Sequence, residues 1–496
     1  MKVFIFDLLA YGKHFDQYKE SKYLPYPLSG DHYDREVAAQ TYEQHLQCWE
    51  EMDKLGFDGV GLNEHHTTPH GLMNSPNMMA AVAAQRTKKL KFLLLGNLVP
   101  LHNPLRIAEE LAMADTLSRG RILSGFARGV PREYNVYSVP MAESRARFEE
   151  AVEIILKAWT QPKFDHQGKF WSYKDIAIWP RPYQQPHPPV WVPFTGSKET
   201  IEWAGKHNFS AVIPDHHRGL TQDIVGYFAK QLKANGHTIS PEQICYFTDA
   251  YVAKDRAEAI KEYSPFYLYF VHTLWHHGSL EKASQAKGTG YLSSSSYDYI
   301  KPENRVGAGV DREGMMKTTP ADIERKIDSG ELSWGSPKDV ADNLIEGAER
   351  MGANSLLLNM NVGAMSHEVF LEQIRRFEEV GTEHLVFDFR FKFDRFFEQI
   401  ELVVPQGCVL NPAPGKPVSA GTHHPGAEVG EVIALALQHV LPDRAVPQTY
   451  KTGIPTVISG VDPRTGAKFT DHSAEVYAGW CNAAKGMDAW GALSAS

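Results

Sequence analysis

The stretch GLNEHHTTPHG, residues 61–71, sets Glu64, His65 and His66 side by side directly behind an apolar run, with His70 close by. Imidazoles in such a place can exchange protons near neutral pH, ligate a metal or simply pack. One ion shared by His65 and His66 is disfavoured, because neighbouring residues of an extended chain point to opposite faces. No H-E-x-x-H pattern or acidic cluster offers a third ligand at a familiar spacing, and His70 could join only through a specific turn. No metal site is expected. A structural histidine pair and a catalytic or cofactor-contacting histidine both remain open.

A second candidate lies in FTGSKETIEWAGKHN at 194–208, which reads as a strand running into a helix N-terminus. Gly196 would let the backbone approach an anion, Ser197 sits where a helix cap belongs, and Thr200 falls in the first turn. A plain helix cap explains the same residues. Arg128 in GFARGVPREY tips the reading towards a phosphate cradle, since a guanidinium at a neighbouring strand end would add charge-assisted hydrogen bonds.

Eight short apolar runs would have to position these groups: 2–8, 58–63, 91–99, 121–127, 189–194, 209–213, 244–253 and 354–360. Helical patterns separate them, for instance NPLRIAEELAMADTLSRG at 103–120, with apolar residues three and four apart and Gly120 at the stop. Apolar strands alternating with helices predict a parallel (β/α)8 barrel, an α/β fold, with an open doubly wound sheet as the alternative. Glu64, His65, His66, Asn97, Arg128, Gly196 and Ser197 then all fall at strand C-terminal ends, the active face of such barrels.

The seventh and eighth runs are separated by a long insertion, about residues 254–335, containing YSPFYLYFVHTLWHHG and SSSS. It could wall a substrate pocket, or form a satellite core or subunit contact. From about residue 398 the texture changes to Pro, Gly and short strand-like pieces around one helical stretch at 428–443, predicting a C-terminal α+β extension over 398–496 beside a main domain over 1–397.

With 496 residues, 43% apolar and 22% charged, the composition is that of a globular enzyme. A net charge of −9 without a basic face argues against nucleic acid. No run has the length of a membrane span, and MKVFIFDLLAYGKHFD is interrupted too early for a signal peptide, so a cytoplasmic protein is expected. The four cysteines are scattered and read as reduced bystanders. Neither a triphosphate-binding G-x-x-x-x-G-K-[ST] nor a dinucleotide-binding G-x-G-x-x-G stands between a strand and a helix, and no G-x-S-x-G elbow is present. A single-phosphate cofactor on a barrel fits better.

Taken together, NEHH, GNLVPLHNPLRIAEELAMADTLSRGR, SGFARGVPREY, SRARFEEAVEIILKAW, WPRPYQQPHPPVWVPFTGSKETIEWA and GSPKDVADNL make the chain resemble the bacterial luciferase-like flavin-dependent monooxygenases over about residues 1–390. The resemblance implies a (β/α)8 barrel that takes reduced FMN from an NAD(P)H-dependent flavin reductase. It further implies activation of O2 as a C4a-peroxyflavin and oxygenation of a small to medium apolar organic substrate, by what is expected to be a homo-oligomer. It assigns His65 to the reacting flavin edge, Asn97 to the ring, and Arg128, Ser197 and Thr200 to the phosphate; Gly196 and Tyr134 are expected at the cofactor site as well. Ala127 stands where luciferases carry a cysteine, which speaks against light emission. An F420-dependent hydride-transfer enzyme and a noncatalytic flavin-binding or assembly protein are the alternatives. The last hundred residues, including GVDPRTGAKFTDHSAEVYAGWCNAAKGMDAWGA, resemble a fragment of the hydantoinase B/oxoprolinase family.

Overall fold

The computed structural model describes residues 1–16, 18, 24, 27–214, 222–274, 302–306 and 317–380, with one short strand pair near the C-terminus. Its strands are β1 Lys2–Asp7, β2 Gly59–Leu62, β3 Lys91–Asn97, β4 Ile122–Phe126, β5 Phe164–Gln167, β6 Ser172–Ile176, β7 Val190–Pro193, β8 Ser210–Pro214, β9 Ile244–Val252, β10 Leu332–Gly335 and β11 Ser355–Asn361. The helices are α1 Arg35–Leu55, α2 Pro76–Arg86, α3 Pro104–Ser118, α4 Pro131–Val136, α5 Ser144–Thr160, α6 Lys198–His207, α7 Gln222–Ala234, α8 Arg256–Tyr269, α9 Pro320–Asp328, α10 Pro337–Met351 and α11 His367–Glu379.

Strands β1, β2, β3, β4, β7, β8, β9 and β11 pair in parallel in that order, and β11 returns to β1, closing an eight-stranded barrel. All eight correspond to the apolar runs of the sequence, and the open-sheet alternative falls away. Period-two alternation sends one set of side chains inward. Phe4, Leu93, Trp191, Val212, Cys245 and Leu357 fill the lumen as one buried cluster, while a larger cluster lies between the strands and the helical coat. Gly61 leaves room for that packing: a Cβ would stand 2.7 Å from a Leu357 methyl, which would have to shift.

Helix ends follow local chemistry. Asp34 caps α1 by accepting from the Glu36 and Val37 amides at 3.0 and 3.3 Å, and Gly56 at φ +85° ends it. Asn103 caps α3 just before Pro104.

The insertion between β9 and β11 is present and adds elements of its own. Strand β10 lies along the far half of β9, Leu332–Gly335 beside Asp249–Val252. Tyr263 and Tyr267 of α8 pack on Tyr251 and Trp334, so the described part of this aromatic stretch joins the main core rather than forming a satellite. The serine run at 293–296 and the helical stretch at 428–443 lie outside the described residues.

The chain divides into compact units Met1–Leu385 and Val386–Ser496. In the second, Gly460–Val461 and Lys468–Phe469 pair antiparallel. Among the described residues no helix is long and apolar enough to cross a membrane.

Candidate active site

The β2 end carries the histidines. His65 and His66 diverge as expected of neighbours in extended chain. His65 Nδ1 lies 3.0 Å from Glu133 Oε1 of α4, and its ring packs 4.8 Å from that of His70. Its backbone amide donates to the Met73 carbonyl, and Asn74 Nδ2 donates to the His65 carbonyl, so a closed turn fixes its backbone. The second Glu133 oxygen accepts from the Val130 amide at 2.8 Å. Glu133 thereby ties the β2 loop to the β4 loop. His70 stacks on Phe270 from the insertion, 5.7 Å between centroids.

His66 faces another set. Its Nε2 lies 2.8 Å from Glu64 Oε1, its Nδ1 2.9 Å from the Tyr137 hydroxyl, and His102 Nε2 approaches the same Glu64 oxygen to 2.5 Å. The Leu98 amide donates to Glu64 Oε2 at 3.0 Å. Burial works against ionisation of Glu64, but hydrogen bonds from His102 and His66 outweigh it and hold its carboxyl below the usual range. Burial likewise opposes a charge on His102, and the Glu64 carboxylate overcomes this and raises it.

Asn97 ends β3 after a register shift, fully buried; its Oδ1 accepts from Asn77 of α2 at 2.7 Å, and its Nδ2 has no hydrogen-bond partner. Arg128 follows β4. Tyr134 is buried, and its hydroxyl donates to the Arg128 carbonyl, so its contact is with the arginine's backbone.

The third group stands behind β7, the neighbour of β4, where Gly125 pairs with Trp191. Ser197 occupies the N-cap position of α6 but makes no capping bond; its hydroxyl oxygen is buried without a hydrogen-bond partner. The plain-cap reading therefore fails. Gly196 holds φ +96°, and a Cβ on it would stand 2.8 Å from the Val306 carbonyl. Val306 donates its amide to the Gly196 carbonyl at 2.7 Å, and Arg305 donates to the Thr195 carbonyl, so the segment 302–306 of the insertion braces this turn. Arg145 of α5 reaches Thr200 Oγ1 at 3.4 Å and the Glu199 carbonyl at 2.9 Å. A buried, unpaired hydroxyl at a helix N-terminus, beside a guanidinium and a glycine turn, suits a phosphate monoester.

The structure thus brings Gly196, Ser197 and Thr200 together at one turn, with Arg128 following the adjacent strand β4, and sets His65 and Asn97 at the ends of β2 and β3. Four residues escaped the sequence reading. Arg145 stood in the quoted SRARF run, but nothing local ties α5 to α6. Glu133 and His102 are joined to the histidines only by the parallel pairing of β2, β3 and β4. Asp249 lies on the same face of β9 as the lumen residue Cys245, buried, accepting from Asn359 Nδ2 at 2.6 Å; burial pushes its carboxyl up to about 6.

The model of the luciferase-like monooxygenase family matches residues 23–355, two thirds of the chain. The chain belongs to this family. It is an oxidoreductase, and its last hundred residues match a separate family, hydantoinase B/oxoprolinase, over 394–495. A relative from Sinorhizobium fredii, y4wF, is 36% identical over 37% of this chain, which spans only 55% of that protein's length. The oxygenase component of a flavin-dependent trigonelline monooxygenase from Acinetobacter baylyi is 26% identical over 48% of this chain and 67% of its own. Among solved structures, the oxygenating constituent of 3,6-diketocamphane monooxygenase from Pseudomonas putida, in complex with FMN, aligns over 78% of this chain and 97% of its own, with TM-score 0.56 and 17% identity, and shares the fold.

Proposed function

We propose that the barrel is the oxygenase of a two-component system: it takes reduced FMN from a separate NAD(P)H-dependent reductase and uses O2 to oxygenate a small to medium apolar organic substrate. The observation that carries this is the unpaired, buried Ser197 hydroxyl in a turn that only glycine fits, flanked by arginines at the active end of a luciferase-like barrel. The relatives' names point the same way, one an oxygenase component and one a complex with FMN.

Ser197, Thr200, Arg145 and Arg128 would hold the phosphate, and Gly196 would let the backbone approach it. Asn97 offers its free amide hydrogens to the ring, and Tyr134 acts through the Arg128 carbonyl that it anchors. Bound reduced flavin supplies the two electrons that split O2, one atom going to the product and one to water. His65 has one ring nitrogen fixed by Glu133, so the other is free to move a proton at the reacting edge. Phe6 and Phe247, packed edge-to-face at 5.1 Å above the lumen cluster, keep water from that space. Ala127 in place of a cysteine goes with oxygenation without light.

A reductase fed by NAD(P)H goes with a cytoplasmic location. Exposed Met78 and Val82 on α2 and Met113 and Leu117 on α3 support a homo-oligomer. We assign the oxygenase to residues 1–397 and treat 398–496 as an appended piece.

The test is to mix photoreduced FMN and protein anaerobically, admit 18O2, and follow O2 uptake and product mass over a panel of alkanals and cyclic ketones. Incorporation of one labelled atom is expected. Flavin bound without O2 use, or binding and reduction of F420 instead, would overturn the reading.

A further inference from the structure

We propose that Glu64, His66 and His102 form a binding site for one divalent transition-metal ion of the zinc class, beside and separate from the flavin site. The expectation of no metal rested on His65 and His66 facing apart, which they do. It did not consider Glu64 and His66, two residues apart and therefore on the same side, or a third ligand from the turn after β3. The structure brings these together: His66 Nε2 and His102 Nε2 lie 2.8 and 2.5 Å from one Glu64 oxygen, and the three ligand atoms all fall within 4.8 Å of one another. In a tetrahedral site with bonds of about 2.0–2.1 Å, ligand atoms stand roughly 3.3 Å apart, so an ion is admitted when the two Glu64–histidine distances widen by less than an ångström and the two imidazole nitrogens settle to the same separation.

Two of the three ligands are oriented from behind. Glu64 Oε2 is fixed by the Leu98 amide, and His66 Nδ1 by the Tyr137 hydroxyl, the outer contacts that ordered metal ligands need. Glu64 and His66 are buried while the His102 side chain is a quarter exposed, which leaves a side where water can complete the shell. Two imidazoles and one carboxylate select zinc or iron(II) over magnesium or calcium, which prefer oxygen. Among the described residues this is the group of histidine and carboxylate ligands that comes so close. An ion here would staple the connections after β2 and β3 and, through Tyr137, the end of α4. Those connections carry His65, Asn97 and the Arg128–Tyr134 turn.

The test uses the full chain, stripped with EDTA and desalted, with zinc competed against a chromophoric chelator and with cobalt(II) as a visible probe. Binding of one equivalent of zinc at submicromolar Kd is expected, unaffected by millimolar magnesium. Glu64→Gln and His102→Ala should each weaken it at least 100-fold, and Tyr137→Phe about 10-fold. Zinc should raise the unfolding temperature of the wild type and not of His102→Ala. His102→Gln, which can still donate to Glu64, serves if the alanine variant does not fold. Zinc affinity weaker than about 10 μM, or equal affinity in wild type and His102 variants, overturns the proposal. These readouts need no flavin, so the metal can fail while the oxygenase reading stands.

Discussion

The histidine end and the cradle end of the barrel rim differ in how far the protein completes them. Around β2 and β3, Glu64, His65, His66, His102 and Glu133 are tied to one another or to backbone amides. Behind β7, Ser197 keeps a buried hydroxyl with nothing to bond. A buried polar group costs about 1–3 kcal/mol when unsatisfied, so a fold retains one where a ligand will satisfy it. The Glu64–His66–His102 and His65–Glu133 groups are bonded already, whereas the Ser197 hydroxyl, like the Asn97 amide at the end of β3, is not.

The sharpest way to break this contrast is to alter each end separately. His65→Ala should lower turnover by about 100-fold or more, the usual worth of an acid/base group, with reduced-flavin affinity unchanged. Steady-state rates and anaerobic titration measured together decide it; a loss of affinity instead would merge the two regions. His66→Ala, by contrast, should lower the unfolding temperature, because it uncouples Glu64 from Tyr137.

At the other end, Arg128→Ala should weaken reduced-FMN binding by about 1.5–3 kcal/mol, the range for hydrogen bonds to charged groups, and Arg145→Ala by a similar amount. Ser197→Ala should cost about 0.5–1.5 kcal/mol of binding while leaving the apoprotein as stable or more so, since it removes an unsatisfied group. A destabilised Ser197→Ala apoprotein would mean that the hydroxyl is already used.

A pH test sharpens the comparison from the lumen. Asp249 ionises in the folded protein at about 6, above its ordinary value, so the native state holds the extra proton and stability falls as pH rises through that window. Asp249→Asn should therefore match the wild type near pH 4 and gain about 1–3 kcal/mol above pH 6, read from denaturant melts at both pH values. Equal stability at pH 8 would show that Asp249 has found a partner.

The sequence made the barrel legible because its strands are buried on both faces and read as continuous apolar runs bounded by capped helices. The candidate cradle was legible because Gly196, Ser197 and Thr200 fall within five consecutive residues. Glu133, His102, Arg145 and Asp249 were not, for a common reason: each meets its partner on a neighbouring strand, strand end or helix distant in sequence, 38 residues apart for Glu64 and His102 and 110 for Asp249 and Asn359. Local spacing carries no trace of such pairings. The extra strand β10 was hidden similarly, since four residues in a long insertion give too short a pattern to read.

The smallest effect is expected from the tail. Ending the chain near residue 398 should leave flavin affinity unchanged and alter only solubility or oligomeric state, seen by size exclusion with light scattering. A folded barrel that no longer binds flavin would give the tail a part in the site.

The measurement that tests the cradle most directly is an anaerobic titration of the wild type and Arg128→Ala with reduced FMN and, in parallel, reduced riboflavin, which lacks the phosphate. The expected result is that the wild type prefers FMN by about 100-fold or more, and that the substitution removes most of this preference without changing riboflavin binding. Equal affinity of the wild type for the two flavins would contradict a phosphate site at Arg128 and Ser197.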